Sequence, residues 1–100
     1  MVKHIILWKI DDKYSVDEKQ KIKSEAKCAL EGLKGKIDGL VEIKVQTDSL
    51  ASSNADMLLY SVFESEQQLK GYSVHECHVR VADTFVRPFT VERLCLDFEI

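Results

Sequence analysis

Proline occurs once in this sequence, at Pro88, and no stretch is biased enough to act as a linker or low-complexity segment. Cysteine is also sparse. Cys28, Cys77 and Cys95 are odd in number and unrelated in spacing, which excludes a disulfide framework and points to free thiols in a reducing compartment. No apolar run approaches the roughly 20 residues of a membrane span. The opening MVKHIILWKI has no small-residue cleavage site and does not read as a signal peptide. Strong net charge is missing as well: the formal value is -3, so no basic field invites nucleic acid or an anionic membrane. These absences describe a cytoplasmic protein without nucleic-acid or membrane partners.

What is present is an ordinary globular balance, 45% hydrophobic and 31% charged over 100 residues. That length supports one domain, residues 1–100, and leaves open whether so short a chain closes its own core. Alternation opens the chain: Val2, His4, Ile6, Trp8 and Ile10 face one way, and Lys3, Ile5, Leu7 and Lys9 the other. Ser15 and Glu18 form a capping-box pattern that starts a helix over about residues 16–34. Ile22, Ala26, Ala29, Leu30 and Leu33 make its apolar stripe, lysines cover the other side, and Gly35 is its stop.

A second strand runs from Leu40 to Thr47, with Val41, Ile43 and Val45 on its dry face. After a small, polar loop, Met57 to Phe63 is a third strand, apolar on both faces. Ser65 to Gln68 repeats the capping-box pattern and opens a helix containing Leu69 and Tyr72. The helical register shifts around His75, continues through Val79 to Val86, and ends at Pro88. Val91 to Glu99 closes the chain as a strand, with Glu92, Leu94, Leu96 and Phe98 alternating against Val91, Arg93, Cys95 and Asp97.

The element order is strand–helix–strand–strand–helix–strand. With right-handed crossovers it predicts a ferredoxin-like α+β fold, an antiparallel sheet with two helices on one face. Its central strands are apolar on both sides, so the uncovered face would expose a contiguous apolar patch. A second copy is the simplest cover: a homodimer packed sheet to sheet into an α+β barrel.

Three segments carry a family likeness. Val2 to Lys9, the Phe63-Glu64-Ser65 corner and Tyr72 to Val79, with its paired histidines His75 and His78, resemble the stress-responsive A/B-barrel domain (Dabb) family. Leu94 to Phe98 is similar to that family's terminal strand. The likeness covers essentially the whole chain and implies a dimeric α+β barrel. One departure stands out: where the family usually has proline after the first histidine of the pair, this chain has Glu76.

Most members of the family have no assigned role. A plant polyketide cyclase among them closes a ring by intramolecular aldol condensation. The resemblance to it places a catalytic histidine at His78, a supporting tyrosine at Tyr72 and an early-strand histidine at His4. It also implies pocket positions at Ile6, Trp8, Leu59 and Phe89, with His75 as a further substrate contact.

Chemistry supports such a set and also supplies bland readings. A histidine can take a proton from a carbon acid beside a carbonyl, and a tyrosine hydroxyl can hold the resulting oxygen. Tyr72 and His78 are six residues apart, about 600° of unbroken helix, so they converge only if the helix breaks near His75. The competing reading is a histidine and tyrosine that satisfy backbone groups at a helix irregularity. His4 is otherwise a strand-end histidine bonded to a neighbouring element, and Trp8 a core residue.

A metal site from His75, Cys77 and His78 lacks a second ligand cluster, so no metal or cofactor is expected. The functional expectation is a protein that binds or transforms a small apolar carbonyl or aromatic compound by cofactor-free acid–base chemistry. The alternatives are a non-enzymatic, stress-associated accessory dimer and a cofactor-free monooxygenase-like protein.

Overall fold

The computed structural model describes residues 1–100 as a four-stranded antiparallel sheet with its helices on one face. The elements are β1 (Val2–Ile10), α1 (Val16–Glu31), β2 (Leu40–Gln46), β3 (Met57–Phe63), α2 (Glu66–Val74), α3 (Glu76–Val81), a π-helical turn (Ala82–Val86) and β4 (Thr90–Glu99). Strand order is β2-β3-β1-β4. This is the ferredoxin-like α+β arrangement, and β1 and β3 occupy its centre.

The period-2 pattern of β1 sets the inner layer. Val2, His4, Ile6, Trp8 and Ile10 all point to the helices and are buried, while Leu7 on the other side is exposed. Ile22, Ala26 and Leu30 of α1 close over them, with Leu59, Phe63 and Val45 from the sheet and Tyr72 from α2. Each large apolar side chain buried this way contributes about 1.5–3 kcal/mol.

Local signals fix the element ends. Ser15 Oγ accepts from the Glu18 N–H at 3.1 Å, and Glu18 Oε1 accepts from the Ser15 N–H at 2.8 Å, a complete capping box. The Ser65 box is only half made: Ser65 Oγ accepts from Gln68 N–H, and no reciprocal bond forms. Helix α1 stops at Glu31, short of the expected 34, and turns carry the chain to Gly39. Gly39 has φ +84, and a Cβ there would lie 2.5 Å from Gln68 Cγ, so only glycine fits this corner.

Two expectations about faces change. A register shift between Leu40 and Glu42 turns Leu40 inward beside Ile43 and Val45, leaving Val41 exposed. Lys23, assigned to the wet side of α1, is buried at 9% exposure. The edge strand β2 is tied to α1 by one side chain. Glu31 Oε2 accepts from Val45 N–H at 3.0 Å and from Lys27 Nζ at 2.8 Å, while Lys27 also donates to the Val45 carbonyl. Burial pushes the Glu31 carboxyl up, but these donors outweigh it and hold its pKa below the ordinary value.

The far side of the sheet is uncovered. Ile5 and Leu7 of β1 pair with Leu96 and Leu94 of β4 and with Tyr60 and Leu58 of β3, so these side chains share that face. Leu94 is 70% and Leu96 64% exposed. No helix of the structure is long and apolar enough to cross a membrane.

Candidate functional site

The segment that places the site is the interrupted helix after Ser65. His75 has φ -64 and ψ 134, an extended conformation that ends α2 and begins α3. Its own ring serves as the N-cap: Nδ1 accepts from the Cys77 N–H at 3.1 Å. The break therefore forms without proline, because the imidazole of His75 satisfies a backbone donor that an unbroken helix would have used. Re-aiming the chain at this point folds α3 back beside α2. The Tyr72 and His78 rings then lie 4.1 Å apart, centre to centre, inclined by 35°.

Around this pair is a cavity of about 80 Å³ between sheet and helices. Its sheet side is His4, Ile6 and Trp8 of β1, Leu59 of β3 and Arg93 of β4. Tyr72, Ser73 and His78 line the helical side, with Ala82 and Val86 from the π-helical turn and Arg87, the residue that caps it. In that turn Arg87 N–H bonds the Ala82 carbonyl five residues back, a widened geometry that recurs at functional sites.

Of the residues expected from the sequence, His78, Tyr72, His4, Ile6, Trp8 and Leu59 all line the cavity. Two do not. His75 is occupied as the cap, and Phe89 packs edge-on against Tyr14 with ring centres 5.8 Å apart.

Tyr72 is 1% exposed, and its hydroxyl has no hydrogen-bond partner. Such an orphan is uncommon, since an unpaired buried polar group costs about 1–3 kcal/mol. Burial pushes the phenol pKa well above its ordinary value, with Arg93 pulling the other way, so the group is a donor at neutral pH.

His78 is half-buried, and its Nδ1 donates to the Ser73 carbonyl at 3.3 Å. A carbonyl only accepts, so Nδ1 carries the proton and Nε2 keeps a free lone pair. Burial lowers the His78 pKa; the Ser73 bond opposes it, and the positive charge of Arg87 and Arg93 and the nearby His4 lower it further. This imidazole is neutral and basic at pH 7.

His4 is oriented from β4, where Asp97 stands directly opposite in the ladder and its Oδ1 accepts from His4 Nδ1. Cys95 Sγ lies 3.5 Å from the same oxygen. Burial and the Asp97 carboxylate raise the thiol pKa, which keeps Cys95 protonated and unreactive as a nucleophile. The donor atoms of His4, Cys95 and Asp97 lie within 4.8 Å of one another. These three are better gathered than His75, Cys77 and His78, the set weighed and set aside on sequence, whose imidazoles are both tied to backbone groups.

The sequence reading missed Asp97, Arg87 and Arg93. Alternation on β4 puts Arg93 and Asp97 on the inner face, and β1–β4 adjacency follows from the topology. Only the register, Trp8 with Arg93 and His4 with Asp97, brings them to the site. A larger groove of about 350 Å³ between α2 and the end of β4 shares Ser73 with the cavity but lacks its acid–base pair.

A four-stranded antiparallel sheet in the order β2-β3-β1-β4 with its helices on one face defines the ferredoxin-like α+β class. The chain belongs to the stress responsive A/B barrel domain family, whose model matches residues 2–100. It is similar to a dimeric protein of unknown function with ferredoxin-like fold from Bacteroides fragilis. The two share 31% identity and a TM-score of 0.93, over 99% of this chain and 95% of that one. A Dabb family protein from Mesorhizobium loti superposes with a TM-score of 0.72 at 16% identity, covering 99% of this chain and 95% of the other. The hydroxynitrile lyase of Passiflora edulis superposes with a TM-score of 0.79 at 18% identity, covering 99% and 92%. At such identities the last two likenesses concern the fold alone. No match was found among curated protein sequences.

Proposed function

We propose that this protein transforms a small carbonyl compound by cofactor-free proton transfer in the Tyr72–His78 cavity, acting as a homodimer. The observation that carries the reading is the buried, unpartnered Tyr72 hydroxyl beside a neutral imidazole with a free ring nitrogen.

A carbonyl oxygen accepts from Tyr72 Oη. His78 Nε2 takes a proton from the adjacent carbon, and the electron pair of that C–H bond moves through the carbon framework onto the oxygen. The enolate so formed is held by the hydroxyl, and the imidazolium returns its proton either to the enolate carbon or, where that carbon adds to a second carbonyl and opens its C=O π bond, to the alkoxide oxygen that results. His4, held in orientation by Asp97, is the assisting polar group; Ile6, Trp8 and Leu59 shape the apolar wall.

The dimer rests on the exposed Leu94 and Leu96 beside Ile5 and Leu7, and on the dimeric relative from Bacteroides fragilis. Sheet-to-sheet packing covers that face and leaves the cavity, on the opposite face, accessible.

Exchange of the methyl protons of acetone, a neutral ketone, and of pyruvate, an oxo acid, in D2O, followed by NMR, tests the chemistry with either class of carbonyl compound. Acceleration above that given by free imidazole, lost in His78→Gln, supports it. No acceleration, or one that survives His78→Gln, refutes it.

A further inference from the structure

The cavity does not share the charge of the protein around it. The chain carries a formal net charge of -3, yet no aspartate or glutamate lines the cavity and two guanidinium groups do. Arg87 is already paired, with Asp83 Oδ1 2.5 Å from its Nη1. Arg93 takes part in none of the ion pairs of the structure. It extends from β4 opposite Trp8, on the helix-facing side, so a partner packed on the other side of the sheet would not neutralise it.

Arg93 is exposed and joins no ion pair, and a free guanidinium at the rim of a partly polar cavity is one half of an anion site, because its fixed fork matches a carboxylate. The second half is the Tyr72 hydroxyl, which has no partner in the protein. Arg93, Tyr72 and His78 all line the same small cavity.

We propose that the cavity takes a short-chain carboxylic acid, with Arg93 and the Tyr72 hydroxyl as the two groups that anchor its carboxylate or the oxygen beside it. The inference rests on the acid–base reading above and names the class of its substrate: an oxo acid, rather than a neutral ketone. Size agrees. About 80 Å³ holds roughly two or three water volumes, about half the volume of an apolar cavity of about 150 Å³ that binds benzene. A carboxylate and one or two carbons fill the enclosed part, and no aromatic ring does.

Propionate and propionamide have nearly the same shape and differ in charge, so they separate anion recognition from simple filling. Each is titrated into isotope-labelled protein while the Tyr72 and His78 side-chain resonances are followed by NMR. Saturable propionate binding is expected, with propionamide weaker by roughly ten-fold or more, the value of a charge-assisted hydrogen bond. Arg93→Gln brings propionate down to the amide's affinity, Arg93→Lys keeps part of the difference, and Arg80→Gln, outside the cavity, changes nothing. Equal affinity for the two probes, propionate binding unaffected by Arg93→Gln, or no propionate binding overturns the proposal. Should acetone still exchange its protons through His78 in any of these cases, the acid–base reading stands and only the carboxylate class is lost.

Discussion

The rings of Tyr72 and His78 lie 4.1 Å apart although one belongs to α2 and the other to α3. Six positions along a continuous helix would have turned them to different faces. Their contact exists because His75 interrupts the helix and caps the next turn with its own imidazole. A side chain that resembles a site residue in the sequence thus acts here on the backbone.

Tyr72→Phe separates function from stability. Removing a buried hydroxyl that bonds to nothing relieves its desolvation, so the variant is expected to be as stable as the parent or more stable by up to about 1 kcal/mol. Proton exchange and carboxylate binding fall together. Urea unfolding measured beside NMR titration checks this, and a loss of several kcal/mol would show that the hydroxyl has a partner after all.

The depressed pKa of His78 gives a signed pH dependence. The folded protein binds the proton less readily than the unfolded chain, whose histidine titrates near 6.5. Above that value the contribution to stability is fully present. It is lost as pH falls through the unfolded pKa toward the lower folded one. Stability profiles of the parent and His78→Gln should diverge in that acid window and run parallel above pH 7. Imidazole 15N shifts report the folded titration directly, and a midpoint at or above 6.5 would contradict the burial argument.

Glu31→Ala removes the carboxylate that meets both Val45 N–H and Lys27. The expected loss is about 1–3 kcal/mol, because a backbone donor on the edge strand is left without its partner. Hydrogen exchange should accelerate at Val45 first. Uniform exchange across the sheet with unchanged stability would mean that the edge is held by packing alone.

Leu96→Glu places a charge on the open face, where the native side chain is 64% exposed. The subunit fold should be preserved, and sedimentation should give a mass near 11.4 kDa in place of twice that value. A parent protein already at 11.4 kDa at micromolar concentration would remove the dimer.

Pattern in the chain determined a great deal. The alternation of Val2 to Ile10, the Ser15–Glu18 box and the single proline near the end of the helical segment specify element order, and topology rules convert that order into this sheet. They also place His4, Ile6 and Trp8 on one inner face, because side chains two apart on a strand have no other choice.

The sequence's scarcity of proline matters differently now. Where the family usually has proline this chain has Glu76, yet the helix still breaks, because the His75 imidazole caps the Cys77 N–H two residues further on, a local bond between side chain and backbone. Tertiary structure turned Val41 outward through a bulge and set the β1–β4 register that delivers Asp97 to His4 and Arg93 to the cavity. Register depends on the whole packed sheet, since a slip of one residue exchanges its two faces. The chain by itself therefore determined the inner face of β1, and the fold alone decided which inward residues meet.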